Sequence, residues 1–227
     1  MPLQHRQDKL RFTLAVVLPL FMSAPARCQT SANLTLVSAY TARGISLDTR
    51  PALQLRVEHD RADGWYAGAF GSRVRLDGDS QGQLIAYGGR AQRLTSTLTL
   101  DAGVSRSTFL RDRAYDYSEF YAGLALNRSS VRLFYSPAYY GAGQTVYLDL
   151  SSAYPLGERV NLAVHAGLLH PFGEYRGVAR DGADLRLALA TDVGEVRIEA
   201  GVQAQWHPYL PWVAPARALT ASASLNF

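Results

Sequence analysis

His165 is the residue of this chain best placed for proton chemistry. It stands inside VNLAVHAGL (Val160 to Leu168), on the polar side of an alternating run, and the preceding run, TVYLDLSSAY, carries Asp149 on its own polar side. A carboxylate beside a histidine orients the ring, and a hydroxyl within reach would complete an activated nucleophile. Ser151 is the formal candidate for that hydroxyl, but alternation alone puts no serine in register with His165. The competing account is a polar-face histidine hydrogen-bonded to its neighbours. His170 and His207 each precede a proline. Metal chemistry finds no foothold: ligand spacings such as His-Glu-x-x-His are missing, and Cys28, the single cysteine, provides no thiolate cluster and no internal disulfide. Gly88 and Gly89 belong to a strand pattern and not to a loop that opens a helix, so they do not cradle phosphate. Catalytic residues, metal ligands and cofactors are therefore all expected to be none, and the chain is not expected to be an enzyme.

A second set of charges has the spacing of a lining and not of a catalytic centre. Arg56, Arg90, Arg132, Arg186 and Arg197 fall on the polar sides of alternating runs, and so do Glu58, Asp101, Glu119, Asp149 and Glu199. With His165, these five cations and five anions are the expected pore-lining set. They would either shape a field across a water-filled interior or pair and plug it. Near balance between the signs predicts little preference between cations and anions.

The elements that would carry such a lining are strands. Leu53, Leu55 and Val57 alternate with Gln54, Arg56 and Glu58, and the same period-2 pattern runs through Val146, Leu148 and Leu150 and through Val196, Ile198 and Val202. Twelve strands are expected, near 33–41, 52–60, 65–73, 83–93, 96–105, 117–127, 130–136, 144–154, 160–169, 183–192, 195–206 and 218–227. The spacers alternate in length. DRADG, LTS, RSS, PLGER and VGE are short, while RGISLDTRP, RLDGDSQG, RSTFLRDRAYDY, PAYYGAG, HPFGEYRGVARDGA and HPYLPWVAPAR are long. With an even strand number, all long loops fall on one rim and both termini on the other. That is the layout of an all-β, single antiparallel transmembrane barrel with long external loops and short periplasmic turns. Closure also removes the sticky edges that so many oily strands would otherwise expose. A soluble sandwich shares the alternation but not the rhythm of connections.

Composition and the N-terminus agree with export. The chain has 227 residues, 48% hydrophobic and 19% charged, enough apolar material for one folded domain. Arg6, Lys9 and Arg11 precede the apolar run FTLAVVLPLFM and then the small residues SAPA, the order of a secretory signal peptide. The expected division is a leader over 1–26, cleaved after 26 or after 28, followed by an outer-membrane barrel over 27–227. Arg27 stands just before Cys28, where a lipid-anchored protein needs a small residue. The basic residues are scattered and not gathered into a stripe, so a nucleic-acid partner is not expected.

Aromatic residues complete the picture. Trp65 and Tyr66 follow a short turn, while Phe120 and Tyr121 follow a long loop, so the two pairs are expected to form girdles at opposite interfaces. The last stretch, ALTASASLNF, ends on Phe227 with Leu219, Ala221, Ala223 and Leu225 on the same side, which resembles the terminal assembly signal of outer-membrane proteins. The loops add Tyr139, Tyr140, Tyr209 and Trp212, with Arg111, Arg113, Arg176 and Arg180, as candidate contacts for lipopolysaccharide phosphate or solute.

The runs LVSAYTARGISLDTRPALQLRVEHDRADGWYAGAFGS (Leu36 to Ser72), SEFYAGLAL, YSPAYYG and VYLDLSSAYPLGERVNLAVHAGLLHPFG resemble a proteobacterial family of conserved proteins of previously unknown function, the TorF-type porin family. Ser38, Tyr40, Arg43, Gly44, Ser46, Pro51 and Ala52 carry the most specific part of the resemblance; Ala39 stands where the family commonly has an acidic residue. The resemblance implies a Gram-negative outer-membrane channel for passive diffusion of small hydrophilic solutes. Its expected partners are outer-membrane lipid, lipopolysaccharide and the barrel-assembly machinery. The alternative is a closed barrel that works as an enzyme or as a structural or adhesive anchor through its external loops.

Overall fold

The structure is a computed structural model that describes residues 29–173, 181–206 and 217–227. The leader, Cys28, Arg176, Arg180, His207, Tyr209 and Trp212 lie outside the described residues. The chain forms β1 (Gln29–Val37), β2 (Tyr40–Ala42), β3 (Ile45–Asp48), β4 (Ala52–Asp60), β5 (Trp65–Leu76), β6 (Asp79–Arg93), β7 (Leu98–Phe109), β8 (Tyr117–Leu126), β9 (Ser129–Tyr139), β10 (Gly143–Pro155), β11 (Val160–Phe172), β12 (Gly182–Val193), β13 (Val196–Trp206) and β14 (Arg217–Asn226). Twelve of these strands, all but β2 and β3, close into one antiparallel barrel in which each pairs with its neighbours in sequence and β1 closes against β14.

Alternation sorts the side chains between outside and inside, because successive residues of a strand point to opposite faces. Leu53, Leu55, Ile198 and Val202 are exposed on the outer wall, a continuous apolar surface of the kind that marks a membrane contact. Gln54, Glu58, Asp101, Arg132, Asp149 and Glu199 are buried inside. The core of this molecule is thus a polar and aromatic lumen, and its oil is on the outside.

The seam of the barrel lies at the chain ends. Asn33 to Val37 pair with Ser222 to Asn226. The Phe227 N–H donates to the Ala32 carbonyl at 2.9 Å, while the Phe227 ring remains exposed at the short-turn rim.

Three connections differ from the sequence expectation. RLDGDSQG is expected to be a long loop, but β5 and β6 run on past the wall and meet in a two-residue turn at Asp77 and Gly78, whose φ angles of 49° and 87° suit the hairpin turn that matches strand twist. PAYYGAG likewise shrinks to 140–142 between β9 and β10. The third is the first long connection. Its residues Tyr40 to Asp48 fold into a separate β2–β3 hairpin around Arg43 and Gly44, with φ of 48° and 70°. The expected strand 33–41 accordingly begins earlier, at Gln29, and stops at Val37.

Candidate functional site: the lumen and its hairpin

The β2–β3 hairpin crosses the lumen. Tyr40 Oη donates to Gln83 Oε1 on β6 at 3.1 Å, and Thr41 Oγ1 donates to Gln203 Oε1 on β13 at 2.6 Å, so the hairpin touches nearly opposite walls. Ile45 and Leu47 are completely enclosed, packed in a cluster with Val37, Ala52 and Val74. Gly44 is required at the tip by its positive φ and by space, since a Cβ there would lie 2.9 Å from Asp184 Cβ on β12. Arg43 reaches β8, where its guanidinium donates to both oxygens of Glu119, one bond measuring 2.9 Å. The same guanidinium lies 4.1 Å from the centre of the Phe134 ring and 4.9 Å from that of Tyr147, within the range where ring quadrupoles attract a cation. Beside it, Phe109, Tyr117, Tyr139 and Tyr140 pack in tilted and edge-to-face contacts with ring centres 4.8 to 6.4 Å apart. The cavity left between hairpin and wall is about 40 Å³, with Arg43, Arg56, Glu119 and Arg132 in its lining. That is room for a few ordered waters.

Toward the short-turn rim the wall charges pair. Asp101 accepts from Tyr66 Oη and from Arg132 Nη2, each at 2.6 Å. Glu58 accepts from Tyr87 at 2.7 Å, and the Arg56 guanidinium lies over Phe70 and Tyr87. Arg186 is ion-paired with Glu199, and Arg197 Nη1 donates to Asp192 at 3.3 Å. Glu119, Asp149 and His165 also face the lumen and are buried.

Arg90 faces the other way. On β6 the inward residues are Gln81, Gln83, Ile85, Tyr87 and Gly89, so Arg90 is outside, with its guanidinium over the Trp65 ring at 5.8 Å. The GG pair in this strand carries no hydrophobic contrast, and the sequence pattern loses its phase there. The girdle pairs are corrected in the same way. Trp65 and Phe120 are exposed outside, whereas Tyr66 and Tyr121 are buried in the lumen with their hydroxyls 2.6 Å apart. Neighbours in a strand cannot both face outward.

The Ser151, His165 and Asp149 constellation does assemble, with Asp149 and the ring both within reach of the serine. Ser151 Oγ lies 2.9 Å from Asp149 Oδ1, to which it can donate, so the carboxylate competes with the ring for the hydroxyl proton. His165 Nδ1 lies 3.3 Å from Ser151 Oγ, and its Nε2 lies 2.9 Å from Asp184 Oδ1 and 3.1 Å from Tyr147 Oη. The ring ties β10, β11 and β12 together as a cross-brace.

Sequence reasoning missed Arg43, Asp184 and the lumen tyrosines. One signal for the tyrosines was present. Tyr66 pairs with Gly89, Tyr87 with Gly68 and Tyr121 with Gly103, so each ring lies across a strand position without a side chain. A Cβ on Gly68 would sit 2.5 Å from the Tyr87 ring.

Comparison with solved structures finds barrels. A KdgM porin aligns with a TM-score of 0.55 at 11% identity over 87% of this chain and 98% of that one. A NanC porin gives 0.59 at 10% identity over 88% and 99%. An outer membrane channel from Pseudomonas putida F1 gives 0.57 at 12% identity over 90% and 97%. At these identities the likeness is one of fold, the closed antiparallel barrel of porins. No curated protein matches the chain in sequence. Residues 23–195 match the family described as "Bacterial protein of unknown function (Gcw_chp)", and the chain belongs to that family.

Proposed function

We propose that the protein is an outer-membrane channel of the TorF type that passes small hydrophilic solutes by passive diffusion, and that its β2–β3 hairpin is the constriction. The observation that carries this is the inversion of the fold, with an oily exterior around a lumen of ionised and hydroxyl side chains. The hydrophobic run before SAPA exports the chain, the assembly machinery takes it up through the Phe227 end, and lipid and lipopolysaccharide surround it. On this account the long-connection rim is external and the chain termini face the periplasm.

The related barrels are called porins or channels, and one, a KdgM porin, is described in complex with disordered oligogalacturonate. The lumen here is nearly balanced, with five arginines, Arg43, Arg56, Arg132, Arg186 and Arg197, against six carboxylates, Glu58, Asp101, Glu119, Asp149, Asp184 and Glu199. Such a lining disfavours polyanions. A hydrolytic role is disfavoured by the Asp149 carboxylate 2.9 Å from Ser151 Oγ, which competes with the ring for the hydroxyl proton. The closed-anchor reading is favoured by one fact, the small size of the cavity beside the hairpin. Liposome swelling separates the two: proteoliposomes swell in small sugars and amino acids if the barrel conducts, and remain impermeant both with the whole chain and with a chain lacking residues 40–48 if it is an anchor.

A further inference from the structure

The lumen carboxylates do not all draw their cations from the same source. Asp101 and Glu199 pair with Arg132 and Arg186, residues of the barrel wall. Glu119, 5% exposed, receives both of its guanidinium bonds from Arg43 on the hairpin. The hairpin shares no ladder bonds with the wall; β2 pairs with β3 alone. Its other polar side-chain ties to the wall are two neutral hydrogen bonds, from Tyr40 and Thr41 to glutamines, and, at its root, the ion pair of Asp48 with Arg73 on β5. Whatever displaces the hairpin therefore uncovers a buried carboxylate on β8 flanked by the rings of Phe134 on β9 and of Tyr139 and Tyr147, the three rings that now surround Arg43 at 4.1, 5.8 and 4.9 Å.

A carboxylate with two oxygens aimed at one guanidinium, walled by aromatic faces, is a receptor for a planar organic cation. We propose that the seat of Arg43 is a guanidinium-binding site of the channel, and that Arg43 is its tethered occupant. A solute bearing a guanidinium group takes the seat when the hairpin swings out, and the hairpin takes it back when the solute leaves. The proposal deepens the channel reading, since the solute reaches the seat through the lumen. Glu119 then has two duties: it holds the hairpin in place at rest, and it holds the permeating cation during passage. Leaving Glu119 bare would cost the desolvation of a buried anion, so the exchange of one guanidinium for another is the low-energy route to opening.

The test uses methylguanidinium as probe, titrated into purified protein in detergent micelles and read by calorimetry. In the whole chain the tethered Arg43 competes at a millimolar or higher effective concentration, so removing it with Arg43→Ala should tighten apparent binding by roughly tenfold or more. Adding Glu119→Gln to Arg43→Ala should abolish that binding. Arg43→Gln, which keeps the stem of the side chain, gives the same comparison if the alanine variant assembles poorly. Equal affinity in the whole chain and in Arg43→Ala overturns the proposal, and so does unchanged binding after Glu119→Gln. Conductance of the same samples is scored apart. Binding without conductance retains the site and removes the channel, while conductance without binding retains the channel and removes the site.

Discussion

At the scale of single residues, the lumen is held by buried ions that have partners. Asp101, 2% exposed, balances Arg132 and accepts a hydrogen bond from Tyr66 Oη. Asp101→Ala leaves Arg132 buried without its carboxylate and should cost about 3 kcal/mol, seen as a lower urea midpoint for loss of the heat-modifiable band; Arg132→Ala in addition should recover part of it. Asp48, also 2% exposed, anchors the root of the hairpin through Arg50 and Arg73. Burial alone would raise its pKa, but the Arg50 N–H and the two guanidinium groups outweigh burial and hold it below the ordinary carboxylate value. A lowered value stabilises the docked hairpin fully above the ordinary Asp pKa of about 3.9, and that stabilisation is lost as pH falls through the docked value. Conductance should thus be flat from neutral pH to about 5 and rise in stronger acid, and Asp48→Asn should remove the rise. Glu58, Arg132, Asp149 and Glu199 were legible from alternation because their strands have oily partners at every second place. Arg90 was not, because Gly88 and Gly89 before it give the pattern no phase. Arg43 was not, because its role depends on contacts with strands from 76 to more than 100 residues away.

At the scale of elements, the twelve wall strands were readable and the hairpin was not. Ala52–Asp60 and Val196–Trp206 repeat oil and water strictly enough to announce a two-faced strand. The hairpin has three residues in one arm and four in the other, with Ile45 and Leu47 packed inside the barrel in the cluster of Val37, Ala52 and Val74. Such a segment reads as a loop, since its apolar residues serve a site found only in the closed barrel. Exchanging both Arg132 and Arg186 for Glu moves the lumen charge by four units and should shift reversal potential toward cations; an unshifted potential would mean that ions do not pass these residues. Removing Phe227 unpins the seam where it bonds Ala32. It should reduce the yield of heat-modifiable barrel while export of the chain continues.

At the scale of the whole molecule, location and permeability follow from one inversion, oil outside and charge inside. Leu55 lies on the outer wall and is about half exposed. Leu55→Arg should cost roughly 2–4 kcal/mol in a bilayer if that position is near the midplane, while on a soluble sandwich surface it would be nearly neutral; urea titration in liposomes decides. The all-β class and the closed barrel were legible because rhythm and alternation report the whole wall at once. Whether the lumen is open was not legible, since that depends on one connection folding inward. Single-channel recording in planar bilayers, with the whole chain and with a chain lacking residues 40–48, tests the central claim. The account predicts small, intermittent openings for the whole chain and steady conductance several-fold larger once the hairpin is gone. A hairpin-free barrel that assembles, shifts on heating and still carries no current would contradict it.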